Sequence, residues 1–276
     1  MIISAENLVL TAQEPLNTPV FGWKSLVAPG NISATSENPA YPAANMANPS
    51  TALFWRAAEE GSPGGAPASD QFITVSALEG LIDYLAVAAH NLGSSQNAIS
   101  VEISDGGSPE TWSEVAPPVI PQNDDPLLFR FAPQMASAVR LRIQPGLLIP
   151  QIAVVYVGKL LVCERGTSAD YTPINLARTT RVLTGKSETG QFLGRYVLSE
   201  SREAPFSLQW LRPEWYRREF DPFLRWAQEM PFFFAHQPQD EPGDVGFCWL
   251  TNDPHPTFDF NTGRVSIDLQ LNGTGG

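Results

Sequence analysis

Cysteine is nearly absent: Cys163 and Cys248 stand alone, far apart and without a CxxC companion. That excludes a disulfide framework or a zinc cluster and leaves two buried thiols as the reading. Charge is sparse at 17% and its basic share is small, 17 Lys+Arg against 29 Asp+Glu for a formal net charge of -12. Residues 1–165 hold 7 cations against 15 anions and the remainder 10 against 14, so neither half has the excess that phosphate neutralisation needs. No nucleic-acid partner is expected. Nowhere do about 18 apolar residues run on, and Met1-Ile-Ile-Ser-Ala-Glu lacks a basic region ahead of an apolar stretch. The expectation is a soluble chain with no signal peptide and no membrane insertion.

Proline and glycine are abundant instead, 25 and 21 in 276 residues, beside 43% apolar residues. That mixture favours many short strands over long helices, and the length suits two domains. Residues 28–71, rich in Pro, Ala, Asn, Ser and Gly, read as loop. Strands are expected at Gln71–Ala77 and at Ile82–Ala89, whose near-continuous apolarity marks a central strand. Ala98–Ser104 alternates strictly, with Ile99, Val101 and Ile103 on one face. Leu127–Phe131 and Ala138–Ile143 repeat the pattern, the latter with Arg140 and Arg142 outward, and Ile152–Val162 ends the series. Strands without intervening helices make a sandwich.

The run Ser36-Glu-Asn-Pro-Ala-Tyr-Pro-Ala-Ala-Asn45, then Asn48-Pro-Ser-Thr51 and Trp55-Arg56, resembles the opening of discoidin (F5/8 type C) domains. Ile82–Asn91 leading into Ile99-Ser-Val-Glu-Ile-Ser-Asp-Gly106, with Trp112 beyond, is similar to the family's core strand, His-Asn corner and hairpin. The resemblance covers about residues 20–165 and implies a galactose-binding-like jelly-roll β-sandwich, here bounded at 1–167.

Beyond Tyr171-Thr-Pro-Ile-Asn the character changes. Arg181–Thr184, Gln191–Leu198 and Pro205–Leu211 read as strands of an antiparallel sheet. Pro213–Glu229 has helical period, with a break expected where Asp221 caps a restart at Pro222. Met230–Ala235, Gly246–Thr251 and Arg264–Leu271 are three further strands, the last with Val265, Ile267, Leu269 and Leu271 toward a core. Gly158-Lys-Leu-Leu-Val162, Tyr171-Thr-Pro-Ile-Asn-Leu-Ala-Arg178 and Leu193-Gly-Arg195 resemble distal tail and baseplate proteins of siphophages. Residues 168–276 are thereby implied to be a small β-barrel with one broken helix. The same resemblance implies a virion component made in the host cytoplasm, a ring of trimeric or hexameric kind, and tail tube, tape-measure and hub proteins as partners.

An enzyme needs a nucleophile, a base and a stabilising group brought together. His90 suits a loop-backbone hydrogen bond. His236 has Asp240 and Glu241 nearby, without metal-motif spacing, and His255 sits among prolines. Gly61-Ser-Pro-Gly-Gly-Ala66 lacks the lysine and helix of a phosphate loop. The acid pairs Glu59-Glu60 and Asp124-Asp125 invite a glycosidase reading, but adjacent acids in such loops are usually solvated. The Asn31 and Asn272 glycosylation sequons are discounted. The chain is therefore read as a non-enzyme with no cofactor and no metal. For a host-surface glycan the stacking candidates are Tyr41, Trp55 and Trp112, the two tryptophans matching positions that pack beneath the loops in the family. For assembly they are Trp215, Tyr216, Trp226 and Trp249, from an aromatic cluster larger than a small barrel can bury. The leading expectation is a structural phage tail-tip protein, and the alternative a carbohydrate-binding module without a virion role.

Overall fold

The computed structural model describes residues 1–5, 8, 17–61, 64–108, 110–167 and 171–274. The boundary expected near residue 168 falls outside them, as do Ser62 and Pro63 of the glycine-rich run. The first half contributes β1 (Ile2–Ser4), β2 (Val20–Gly22), β3 (Ile32–Ala34), β4 (Trp55–Arg56), β5 (Gln71–Val75), β6 (Leu81–His90), β7 (Ile99–Ser104), β8 (Trp112–Val119), β9 (Leu127–Met135), β10 (Ala138–Ile143), β11 (Gln151–Gly158) and β12 (Leu160–Val162). Two five-stranded sheets form, ordered β1-β9-β6-β11-β4 and β3-β5-β10-β7-β8. They share a core that includes Trp55, Leu85, Val87, Val101, Phe129, Leu141 and Val155. This is the β-sandwich that the resemblance implies.

β6 is central, as its apolar run suggests, and buried on both faces. Leu85 and Val87 fill the sandwich core, whereas Tyr84, Ala86 and Ala88 face a second cluster with Phe233 and Phe247 of the C-terminal half. Continuous apolarity therefore marks the middle layer of three. The loop expected over 28–71 holds β3, β4 and a short 3-10 turn, Ala43–Ala47. β8, with Pro117 and Pro118, forms an edge, where absent N–H donors cost no ladder bond. Arg140 and Arg142 are not simply solvated: Arg140 lies between the rings of Phe72 and Trp112, and both arginines pair with the buried Glu102.

The second half adds β13 (Arg178–Lys186), β14 (Phe192–Leu211), β15 (Phe232–Ala235), β16 (Val245–Leu250), β17 (Thr257–Asp259) and β18 (Arg264–Thr274). Its sheet is antiparallel, ordered β12-β2-β15-β16-β18-β14-β13 with β17 beside β18, so β2 and β12 of the first 167 residues belong to it. β2 and β14 are four strands apart, roughly 19 Å if the sheet were flat. Phe21 of β2 nevertheless meets Phe206 of β14 at 5.9 Å, so the sheet curls around its core. Val265, Ile267, Leu269 and Leu271 all point into that core.

Two local expectations change. The strands expected at 191–198 and 205–211 are one 20-residue strand. The helix does not restart at Asp221: α-helical Pro213–Trp215, a π turn at Tyr216–Phe220 and α-helical Asp221–Ala227 run on. The Asp221 N–H bonds Tyr216 O, five residues back, and this widened turn gives the Pro222 ring the space an α-helical turn would deny it.

Candidate functional site

The residues that carried the discoidin resemblance are mostly locks. Trp55 is buried, and its indole N–H donates to Ser36 O at 3.0 Å. Asn38 Oδ1 accepts the Ala40 N–H, Glu37 Oε2 the Ala43 N–H, and Asn45 Nδ2 donates to Phe54 O. Trp55 therefore leaves the glycan-contact set, because no ligand reaches a buried ring. Tyr41 stays: it is half-exposed on the turn these bonds hold, and it stacks on Phe54 at 4.5 Å and 12°. Trp112 is half-exposed, but Arg140 lies 4.0 Å over its ring.

The assembly candidates divide. Trp215 and Tyr216 are buried in the second-half core, and half-buried Trp226 packs edge-on against Trp23. Those three correct the expectation, since the curled sheet buries more aromatic surface than the sequence suggested. Trp249 alone is open, 37% exposed, beside a groove of about 290 Å³ with Met230 and Pro231.

Most of the polar candidates are committed to backbone or side-chain partners within the chain. His90 Nδ1 accepts the Leu92 N–H at 3.2 Å, leaving Nε2 to donate to Asp125 O at 3.0 Å. Burial pushes its pKa down to about 4, so the ring is neutral at pH 7. Asp124 Oδ1 accepts the N–H groups of Gly93 and Ser94 at 2.9 Å, Asp125 faces Arg202 at 3.5 Å, and Glu60 Oε2 accepts the Ala68 N–H. Neither acid pair stands as an acid and base across a shared cleft. His236 stacks on Tyr171 and bonds Thr167, and Asp240 accepts from Asn17, so these two do not converge. Among the described residues no three His, Cys, Asp or Glu side chains gather as a metal site. Asn31 also bonds backbone, through Ala28 and Leu26.

A cluster of exposed apolar residues lies outside the sequence candidates. Among the described residues β14 pairs β18 only from Arg202 to Leu211, so β13 with residues 192–201 of β14 projects as a two-stranded ribbon. Leu183, Phe192, Leu193, Tyr196, Val197 and Leu198 on it are 51–69% exposed. Leu183 faces Tyr196 across the ribbon and Val182 faces Val197 at the next position, so both faces carry apolar pairs. An isolated two-stranded hairpin is at best marginal in water, and unpaired edges invite another chain. The signal was legible: Phe192-Leu193 and Val197-Leu198 break the alternation that a strand with one wet face would show.

No family model matches the chain, and no curated protein does. Among solved structures it is similar to chitosan-binding module 1 of a chitosanase/glucanase from Paenibacillus sp. IK-5, at 15% identity over 49% of this chain and 98% of that one, TM-score 0.40. A Clostridium perfringens module, CpGH89CBM32-5, in complex with GalNAc-β-1,3-galactose, aligns at 18% identity over 49% and 99%, TM-score 0.40. The family 32 module of C. perfringens NanJ, in complex with galactose, aligns at 16% over 52% and 99%, TM-score 0.40.

Proposed function

We propose that this chain is a non-catalytic structural protein that self-assembles through its C-terminal half and displays the β-sandwich outward, as a component of a phage tail tip would. The observation that carries assembly is the projecting β13–β14 ribbon, apolar on both faces and unpaired at its edges among the described residues. A monomer would leave that surface in water, and association with further copies buries it. The placement in a tail rests on the sequence resemblance of residues 156–276. The test is native mass spectrometry with light scattering on the full chain, beside a variant in which a two-residue turn joins the paired Arg181 and Ser199 in place of Val182–Leu198. A closed oligomer that the shortened ribbon converts to monomer is the expected result. A monomeric full-length chain overturns the reading.

A second reading, carbohydrate binding by the sandwich, is favoured by Tyr41. Its ring is held flat against Phe54 on an ordered turn and supplies a platform of the kind that stacks on a pyranose. It is compatible with assembly and gains avidity from it. Galactose and chitosan oligosaccharides, the sugars named with the similar modules, are the first to try. Binding by calorimetry that Tyr41→Ala abolishes without changing the melting temperature supports this reading, and equal binding by the variant removes it.

A further inference from the structure

The ribbon has a counterpart at the other end of the same strands. From Arg202↔Gly273 to Leu211↔Val265, β14 and β18 run together for about 27 Å. The ribbon leaves at the Gly273 end. At the Val265 end, β17 pairs β18 and closes through the turn after Asp259, and the apolar residues there are again open. Phe260 is 99% exposed, and Trp210 and Phe258 are exposed with it. Trp210 has positive φ, 63°, at the irregularity that interrupts pairing between Leu208 and Leu211, so the backbone turns this ring out of the sheet.

The two ends are opposite in charge. The ribbon carries Arg178, Arg181, Lys186 and Arg195 against Glu188 and Glu200. Glu200 is already paired with Arg178, while Arg181, Lys186 and Arg195 have no ion pair among the described residues. Residues 251–270 carry Asp253, Asp259 and Asp268 against Arg264, with Arg217 over the Phe258 ring. Thr262 Oγ1 and the Asn261 N–H both donate to Asp259, holding its pKa below the usual carboxylate range and keeping the charge in place. Because the ends lie at opposite extremes of one strand, a chain cannot bring its own ribbon to its own aromatic end.

Resting on the self-assembly reading, we propose that the contact between copies is heterologous. The ribbon of one copy seats on the Trp210, Phe258 and Phe260 end of the next, its cations facing Asp253 and Asp259. Such a head-to-tail contact repeats, closing a ring if the rotation allows and growing a filament otherwise.

Complementation of two variants tests this. The ribbon variant Leu183→Ser/Tyr196→Ser keeps an intact aromatic end, and the variant Trp210→Asn/Phe260→Ser keeps an intact ribbon. All four side chains are exposed, and asparagine tolerates the positive φ at 210, so circular dichroism should match the parent. Each variant alone is expected to be monomeric by light scattering, and an equimolar mixture to give a 1:1 heterodimer that grows no further. An aromatic-end variant that assembles like the parent, or a mixture that stays monomeric, overturns the heterologous contact while leaving assembly intact. A monomeric parent overturns both.

Discussion

Acidification should destabilise this protein in part through one buried ring. His90 is neutral in the fold, accepting from Leu92 N–H and donating to Asp125 O, and its pKa there is about 4 against 6.5 in an ordinary environment. In the unfolded chain it protonates at the ordinary value, so between pH 6.5 and 4 the unfolded state binds more protons. Stability therefore rises with pH across that window and is lost as pH falls through it. At 1.36 kcal/mol per unit, the depression is worth roughly 3 kcal/mol, a large share of a typical domain stability. The assay is urea unfolding at pH 7.5, 6.5, 5.5 and 4.5, comparing the parent with His90→Gln. The variant should be destabilised at pH 7.5 by the lost hydrogen bonds yet should shed about 2.5 kcal/mol less than the parent between pH 7.5 and 4.5. Half-buried His236, also depressed to about 4 by burial, acts in the same direction but is common to both proteins and cancels in the difference. Two unfolding curves that fall in parallel with pH would refute the assignment of the buried neutral ring.

Phe21→Ala should cost about 3–5 kcal/mol and loosen the C-terminal half, because its ring contacts Phe206, Phe220, Phe223, Phe232 and Phe234. Loss of hydrogen-exchange protection in β15 and β18, rather than in β7 and β10, checks this. Gly93→Ala should destabilise by several kcal/mol in thermal melts, since a Cβ there would lie 2.2 Å from Asn123 O in the corner that Asp124 holds. Burial raises both thiol pKa values, so Cys163 and Cys248 should resist a thiol reagent in the native state and react together on unfolding. Reaction of either at the native rate of an exposed thiol contradicts their place in the core.

Alternation and turn chemistry were enough for much of this fold. Period-two alternation of apolar and polar residues in the sequence placed β7, β10 and β18, although β7 proves buried on both faces, and the apolar run of Ile82–Ala89 made β6 central. Of the glycan candidates, the structure leaves Tyr41 half-exposed and puts Trp55 in the core, a difference of surroundings that residue type does not carry. The assembly candidates fared less well. Counting aromatics cannot say how many rings a curled sheet encloses, and Trp215 and Tyr216 proved to be core.

What the sequence determined by itself is local: strand periodicity, the glycine and asparagine turns, the helical stripe after Pro213, and an acidic, cysteine-poor composition. Each follows from interactions a few residues long. The tertiary structure alone decided that β2 and β12 complete the C-terminal sheet, that β14 is one strand rather than two, and that its far portion with β13 has no neighbouring strand among the described residues. Pairing between distant segments depends on which edges remain free once the sheets are packed, and no short pattern encodes that. The break in alternation at Phe192-Leu193 and Val197-Leu198 is visible in the sequence, and only the fold shows that no third strand lies beside it among the described residues.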